Sequence, residues 1–296
     1  MCQIANTATK PILLCVDFDE TITLYDTTSV LFQLAPSSSL VQKQLLATQY
    51  ADEVTQYLRN YEIKWQQEID SSNHNRSFDG SGLREFLKGY AAADLRSLHR
   101  VVEHRALKGI QKQDLIQAAS CVQTRPNCAE TLLIPFHWNI ISVNWSKELI
   151  KTVMTQAGVA CETTQIIAND LIMNEQEVTT GEIDMIVQSP GDKARWITNM
   201  RVIHAEIQST IVYVGDSATD LLALLSADVG IWLASNILTP SAKLLRRLME
   251  VYGIATIELV NCCSFNDCVS KASDSRPVIF LASDWAQLRS ILERTT

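Results

Sequence analysis

The residues best equipped for chemistry are acids that follow apolar runs. In "ILLCVDFDETIT" a strand-like run, Ile12 to Val16, leads straight into Asp17, Asp19 and Glu20. Carboxylates crowded this closely repel one another and lose hydration, so they need open water or a cation. Asp17 and Asp19 flank Phe18, and the two-residue period of an extended chain sends both to one side with Phe18 on the other. The pattern returns in "TIVYVGDSATDLLALL", where an apolar run and a freely turning Gly precede Asp216 and Asp220. If the two strands are neighbours, Asp17, Asp19 and Asp216 converge. Such hard oxygen donors suit Mg2+, which is held by few carboxylates together with water and a substrate phosphate.

Two further residues fit phosphoryl chemistry. Ser142 ends the run in "WNIISVNWSKEL" just before a helix, where a hydroxyl and backbone N–H groups can hold phosphate oxygens. Lys193 in "SPGDKARWI" opens a helix and can neutralise phosphate and nucleophile together. Taken singly, Ser142 reads as a helix cap and Lys193 as a solvated helix residue.

The elements that must position these residues alternate. Strands are expected at Ile12 to Val16, Trp138 to Val143, Thr164 to Ala168, Thr210 to Val214, Val229 to Leu233 and Val278 to Leu281. Helices are expected at Lys147 to Ala157, Lys193 to Ile207, Asp220 to Leu225, Ser241 to Tyr252 and Trp285 to Glu293. This order predicts an α/β fold, a doubly wound, mostly parallel Rossmann-like sheet with its site at the carboxyl ends of the strands. Residues 25–133 read as an inserted α-helical cap, leaving 1–24 and 134–296 as the core. Within the cap, Leu46, Tyr50, Val54, Tyr57, Tyr61 and Trp65 recur at helical spacing. A second helical stretch carries an expected kink or break at Gly89, and "DSSNHNRSFDGSG" reads as a loop. "NDLIMNEQEVTTGEIDMIVQSPGDK" adds a small β-hairpin flap.

Composition narrows the function. With 296 residues, 47% of them hydrophobic, the chain has ample core for one domain with an insertion. A formal net charge of -8 argues against nucleic acid or an anionic membrane as partner. The opening "MCQIANTATKPILLC" has no basic start followed by an apolar run, and the expectation is a cytoplasmic protein. Cys262, Cys263 and Cys268 lack the pairing of a zinc site and read as ordinary thiols, while His74, His99 and His104 read as solvated.

Taken in order, DxDxT, the strand-ending Ser142, Lys193 and GDSxxD resemble the four motifs of the haloacid dehalogenase superfamily of phosphohydrolases. That resemblance implies Asp17 as nucleophile and Asp19 as general acid and base. It implies Ser142 and Lys193 as phosphate-binding residues, and Asp17, the Asp19 backbone carbonyl and Asp216 as magnesium ligands. Thr21 would fix the loop, and Asp220 would orient Lys193 or a metal-bound water. An insertion between the first two motifs is similar to capped phosphatases of the phosphoserine phosphatase type, implying small phosphorylated metabolites as substrates. "SVNWSKELI", "TTGEIDMIVQSPGDKA", "VYVGDSATDLLALLSADVGI" and "SDWAQL" further resemble the thiamin monophosphate phosphatase domains of plant bifunctional thiamin proteins and their fungal relatives. Thiamin monophosphate is then the first candidate, with a phosphoserine-like or nucleotide-like ester, or a non-catalytic binding protein on the same fold, as alternatives. A thiazolium would meet Trp145, Tyr50 and Glu53 through ring faces and a carboxylate.

Overall fold

The computed structural model describes residues 10–36, 40–71, 77–134, 137–234, 239–273 and 276–294. His74 and the first nine residues, part of the stretch read for a leader, lie outside the described residues. Among the described residues there are nine strands: β1 (Ile12–Val16), β2 (His137–Ile141), β3 (Ile166–Ile167), β4 (Asp170–Met173), β5 (Thr179–Asp184), β6 (Thr210–Gly215), β7 (Val229–Leu233), β8 (Ala255–Glu258) and β9 (Val278–Ala282). Seven form one parallel sheet in the order β3-β2-β1-β6-β7-β9-β8. The chain winds from β1 through β2 to β3, then restarts at β6 on the other side of β1. The carboxyl ends of β1 and β6 therefore flank a switch point, where open α/β sheets place their ligands.

Both sheet faces are covered, which explains the unbroken apolar runs. Leu14 and Val16 pack into one core and Leu13 and Cys15 into the other. Helices α6 (Lys147–Gln156), α7 (Pro190–Ile203), α8 (Leu221–Ser226), α9 (Pro240–Val251), α10 (Phe265–Ala272) and α11 (Trp285–Glu293) accompany the later strands. Helix α7 starts three residues earlier than the sequence pattern indicates. The Ser189 side chain caps it by accepting the Asp192 N–H, and Pro190 occupies its first turn. The expected strand at Thr164 to Ala168 shrinks to two residues because Thr163–Gln165 coil into a short 3-10 turn. As expected, β4 and β5 form an antiparallel hairpin.

Between β1 and β2 the chain is helical: α1 (Thr28–Leu34), α2 (Leu40–Ser71), α3 (Gly80–Glu103), α4 (Lys112–Ala119) and α5 (Cys128–Leu132). The last two pack on core helices, α4 against α6 and α5 against α11. The aromatic stripe of α2 splits into two functions. Tyr57, Tyr61 and Trp65 stack around Phe86 of α3, and Trp65 Nε1 donates to the Tyr252 hydroxyl at 3.3 Å, joining α2 to the end of α9. Leu46 and Tyr50 face a cavity instead.

Gly89 does not break α3, correcting the sequence reading. The helix is continuous there, and a Cβ would lie 2.3 Å from the Tyr57 hydroxyl, so glycine admits the Tyr57 ring. Asp79 caps the start of α3 by accepting the N–H groups of Ser81 and Gly82. Gly230 in β7 has an analogous duty: a Cβ would sit 2.2 Å from the Leu224 backbone oxygen. Gly230→Ala is expected to destabilise the protein by about 1–3 kcal/mol through overpacking. The check is a lowered urea midpoint at unchanged m-value.

Candidate active site

The first acidic loop extends the sheet by one bond before leaving it. Asp17 N–H donates to the Val214 carbonyl at 2.9 Å, fixing Asp17 beside the end of β6. Phe18 turns into the core with Leu14 and Val16, while Asp17 and Asp19 both line the cavity. The chain then bends sharply through Glu20, whose φ of 58° is left-handed. That bend is held by the N–H groups of Ile22 and Thr23 on the Phe18 carbonyl, by Arg125 Nε on the Glu20 carbonyl, and by the buried Trp285 indole on the Thr21 carbonyl at 2.9 Å. Thr21 Oγ1 donates to Asp216 Oδ1 at 2.9 Å, so the two acidic loops are bonded to each other.

The second loop is built around Asp220, which is completely buried. Its Oδ1 accepts Lys193 Nζ and the Tyr213 hydroxyl, each at 2.7 Å. Its Oδ2 accepts the N–H groups of Asp216 and Ser217 and the Ser217 hydroxyl. Gly215 makes room for this carboxylate, since a Cβ would lie 2.4 Å from Asp220 Cγ. Trp232 Nε1 donates to the Asp216 carbonyl at 3.0 Å, pinning the loop from the far side.

Lys193 reaches this cluster from the first turn of α7 and is fully buried, not a solvated helix residue. Its ammonium lies 2.7 Å from Asp220 Oδ1 and 2.8 Å from Asp17 Oδ1. The Asp17 contact is off the line of a hydrogen bond, so attraction there is chiefly ionic. Burial works against the Lys193 charge, but Asp17 and Asp220 outweigh it and hold its pKa above the ordinary range.

Carboxylate oxygens of Asp17, Asp216 and Asp220 come within 4.8 Å of one another. Asp220 is saturated by five donors, which leaves Asp17 and Asp216 under-coordinated. Burial, with the charge of Asp220 added, pushes Asp17 up to about 7, Lys193 offsetting part of the rise. Burial and the neighbouring Asp220 and Asp17 raise Asp216 well above its usual value. Two buried carboxylates short of positive charge are a donor set that fits Mg2+, which takes its remaining ligands from water and phosphate. Among the described residues no other group of His, Cys, Asp or Glu meets this geometry; Cys262 and Cys268 are buried free thiols and Cys263 an exposed one.

Asp19 is held separately. Its Oδ1 accepts the Thr27 N–H at 2.8 Å and the Thr27 hydroxyl at 2.7 Å, and its Oδ2 accepts Asn144 Nδ2 at 2.7 Å. These bonds favour the charged form, yet burial and the charge of Asp26 dominate and raise its pKa to about 6. A carboxyl that changes protonation near neutrality suits proton transfer. Asn144 and Thr27 escaped the sequence reading; the visible signal was an Asn in the turn between Ser142 and the Ser146 that caps α6. Ser142 is fully buried, its hydroxyl accepting the Asn144 N–H at 3.1 Å, while Val143, Asn144 and Trp145 line the cavity.

The cavity, of about 720 Å³, extends from Asp17, Asp19 and Asp216 to the inner sides of α1, α2 and α3. Trp145 packs edge-on to Phe32 with ring centroids 6.0 Å apart, and both line it. Tyr50 lines it as well and donates to Asp94 Oδ1 at 2.7 Å. Glu53 does not join them, correcting its expected place. One turn along α2, it is bound by Arg96 at 2.8 Å and Arg100 at 2.6 Å, away from the cavity lining.

A parallel sheet with this strand order, a helical insertion after its first strand and acids at the β1–β6 switch point define a haloacid dehalogenase-type fold. Over most of its length the chain shares that fold with cytosolic 5'-nucleotidase IIIB, solved with cytidine bound. The match covers 96% of this chain and 86% of that one, with a TM-score of 0.53 and 13% identity. By sequence it is similar to the mitochondrial bifunctional TH2 protein of Arabidopsis thaliana, 24% identical over 96% of this chain. It spans only 50% of that plant protein's length. It is also similar to a CTO1 family protein of Schizosaccharomyces pombe, 26% identical over 94% of this chain and 98% of the relative. No protein-family model matches the chain.

A bound cation relieves repulsion that the apo protein retains, so Mg2+ is expected to raise the melting temperature. A concentration a hundredfold above Kd stabilises by about 2.7 kcal/mol. The Asp216→Asn variant is expected to fold and to lose this shift; an equal shift in both proteins would place the ion elsewhere.

Proposed function

We propose that the protein is a magnesium-dependent phosphomonoesterase that works through an aspartyl-phosphate on a small phosphorylated metabolite. The observation that carries this reading is the pair Asp17 and Asp19 lining one cavity, with Lys193 buried against Asp17. In the first step Asp17 attacks phosphorus, the bond from phosphorus to the ester oxygen breaks, and Asp19 gives its proton to the departing oxygen. In the second step Asp19 takes a proton from water as that water attacks the aspartyl-phosphate, releasing phosphate and restoring both carboxyl groups.

Lys193 favours the ionised form of Asp17 and, with Ser142, holds the phosphoryl oxygens. Asp220 positions the Lys193 ammonium, and Tyr213 steadies Asp220. Asn144 and Thr27 aim the Asp19 carboxyl, and Thr21 holds Asp216 to the nucleophile loop. Asp17, Asp216 and the Asp19 carbonyl would hold magnesium, which would supply positive charge for the phosphoryl oxygens. We take residues 25–133 as the cap that shields the reaction from water and reads the leaving group, on the core of residues 1–24 and 134–296. Thiamin monophosphate is the first candidate substrate, supported by the sequence resemblance.

Hydrolysis of p-nitrophenyl phosphate is the simplest test. Turnover is expected to stop in EDTA and return with Mg2+. Asp17→Asn is expected to abolish it, and Asp19→Asn to lower kcat by about 10²–10⁴-fold, both with the fold retained. Undiminished turnover in Asp17→Asn would refute the covalent mechanism.

A further inference from the structure

The charge distribution of the cavity is one-sided. Asp17, Asp19, Glu20, Asp26, Asp94 and Asp216 line it, and Lys43 is the one basic residue among its described lining. The Lys43 ammonium is engaged by the carbonyls of Phe32 and Ala35 at the end of α1. Two of its three N–H donors are thereby taken by backbone, and among the described lining residues acids outnumber bases six to one.

Asp94 stands apart from the acids of the catalytic loops. It lies on α3 in the cap wall, and its described hydrogen bond comes from the Tyr50 hydroxyl to Oδ1. Arg96 and Arg100 of the same helix both turn to Glu53, so Asp94 forms no ion pair among the described residues. Burial pushes its carboxyl up to about 6, the Tyr50 bond opposing the rise. Phe32, Tyr50, Tyr90 and Trp145 line the same cavity. A half-buried carboxylate without a cation, set among aromatic rings, is costly to the empty protein and suited to one kind of guest.

Building on the phosphatase reading above, we propose that the cap wall selects phosphate esters whose leaving group carries a positive charge. Asp94 is the counter-ion and the rings of Trp145 and Phe32 supply the apolar face. Tyr50 is a positioning residue that holds the Asp94 carboxylate toward the cavity. The same wall disfavours esters whose leaving alcohol carries a carboxylate or a further phosphate, because two anions would then share a partly desolvated space.

The test uses two esters of one shape that differ in charge, phosphocholine and its neutral carbon isostere 3,3-dimethylbutyl phosphate, with p-nitrophenyl phosphate as the reference. In the wild-type protein kcat/KM is expected to favour phosphocholine by about 10-fold or more. In Asp94→Asn that preference is expected to collapse toward unity, mainly through KM, and in Tyr50→Phe to fall part of the way. Asp94→Asn removes a buried charge, so its melting temperature at pH 7.5 is expected to match or exceed that of the wild type. Should it fail to fold, the wild-type ratio decides alone: a ratio of one or below overturns the proposal. So does a preference that survives intact in a folded Asp94→Asn protein. Loss of p-nitrophenyl phosphate hydrolysis in the wild type would instead overturn the phosphatase reading.

Discussion

The site depends on one ammonium group buried between two carboxylates. Lys193 has no exposure to solvent, and its charge is offset by Asp17 on one side and Asp220 on the other. Removing such groups from water costs several kcal/mol per ion, so the cluster is tolerable only because its members satisfy one another. The satisfaction is uneven. Asp220 gives both oxygens to five donors, whereas Asp17 Oδ1 has only the ionic contact and Asp216 is held by Thr21. That inequality separates the acids: the saturated carboxylate anchors the lysine, and the unsaturated ones are those to which the proposed mechanism assigns the cation and phosphorus.

Positioning this cluster constrains much of the fold around it. The parallel pairing of β1 with β6 brings sequence positions 17 and 216 to one edge. The indoles of Trp285 and Trp232 then fix the two loops by their carbonyls, and glycine at 215 leaves space for Asp220. The helical insertion lines the cavity through a helix with two roles. One half of the α2 stripe, Tyr57 to Trp65, locks α2 onto α3 and the core, while Leu46 and Tyr50 shape the cavity wall. Packing at one end of the helix thus supports a cavity wall at the other.

Much of this was visible in the residue order, and the misses have physical causes. Strands β1, β6 and β7 are buried on both faces and so appear as continuous apolar runs. Edge strand β8, "ATIE", alternates half-buried and exposed residues over four positions and gives no comparable signal. Gly89 was misread because local propensity registers a helix-weakening residue and not the Tyr57 ring that requires it. Taken alone, Lys193 looked solvated because its neighbours are polar; only tertiary contact with Asp17 and Asp220 accounts for its burial. Glu53 and Asp94 are both acids on cap helices near Tyr50, and no pattern along the chain reveals that two arginines of α3 occupy the first and leave the second. Thr27 and Asn144 were missed for a similar reason, since their value lies in meeting at Asp19 from distant segments.

The central electrostatic claim is most directly tested by the pH dependence of stability in Lys193→Met, measured in EDTA against the wild type. Without the ammonium, which lowers the Asp17 pKa against the effect of burial, the folded-state pKa of Asp17 stands further above that of the unfolded chain. The folded state then binds more protons than the unfolded one across that interval, and stability falls as pH rises through it. The expected result is a melting-temperature deficit that is large at pH 8 and shrinks steadily toward pH 5. A deficit of constant size over that range would show that Lys193 contributes packing alone and would contradict its role as the counter-charge of the site.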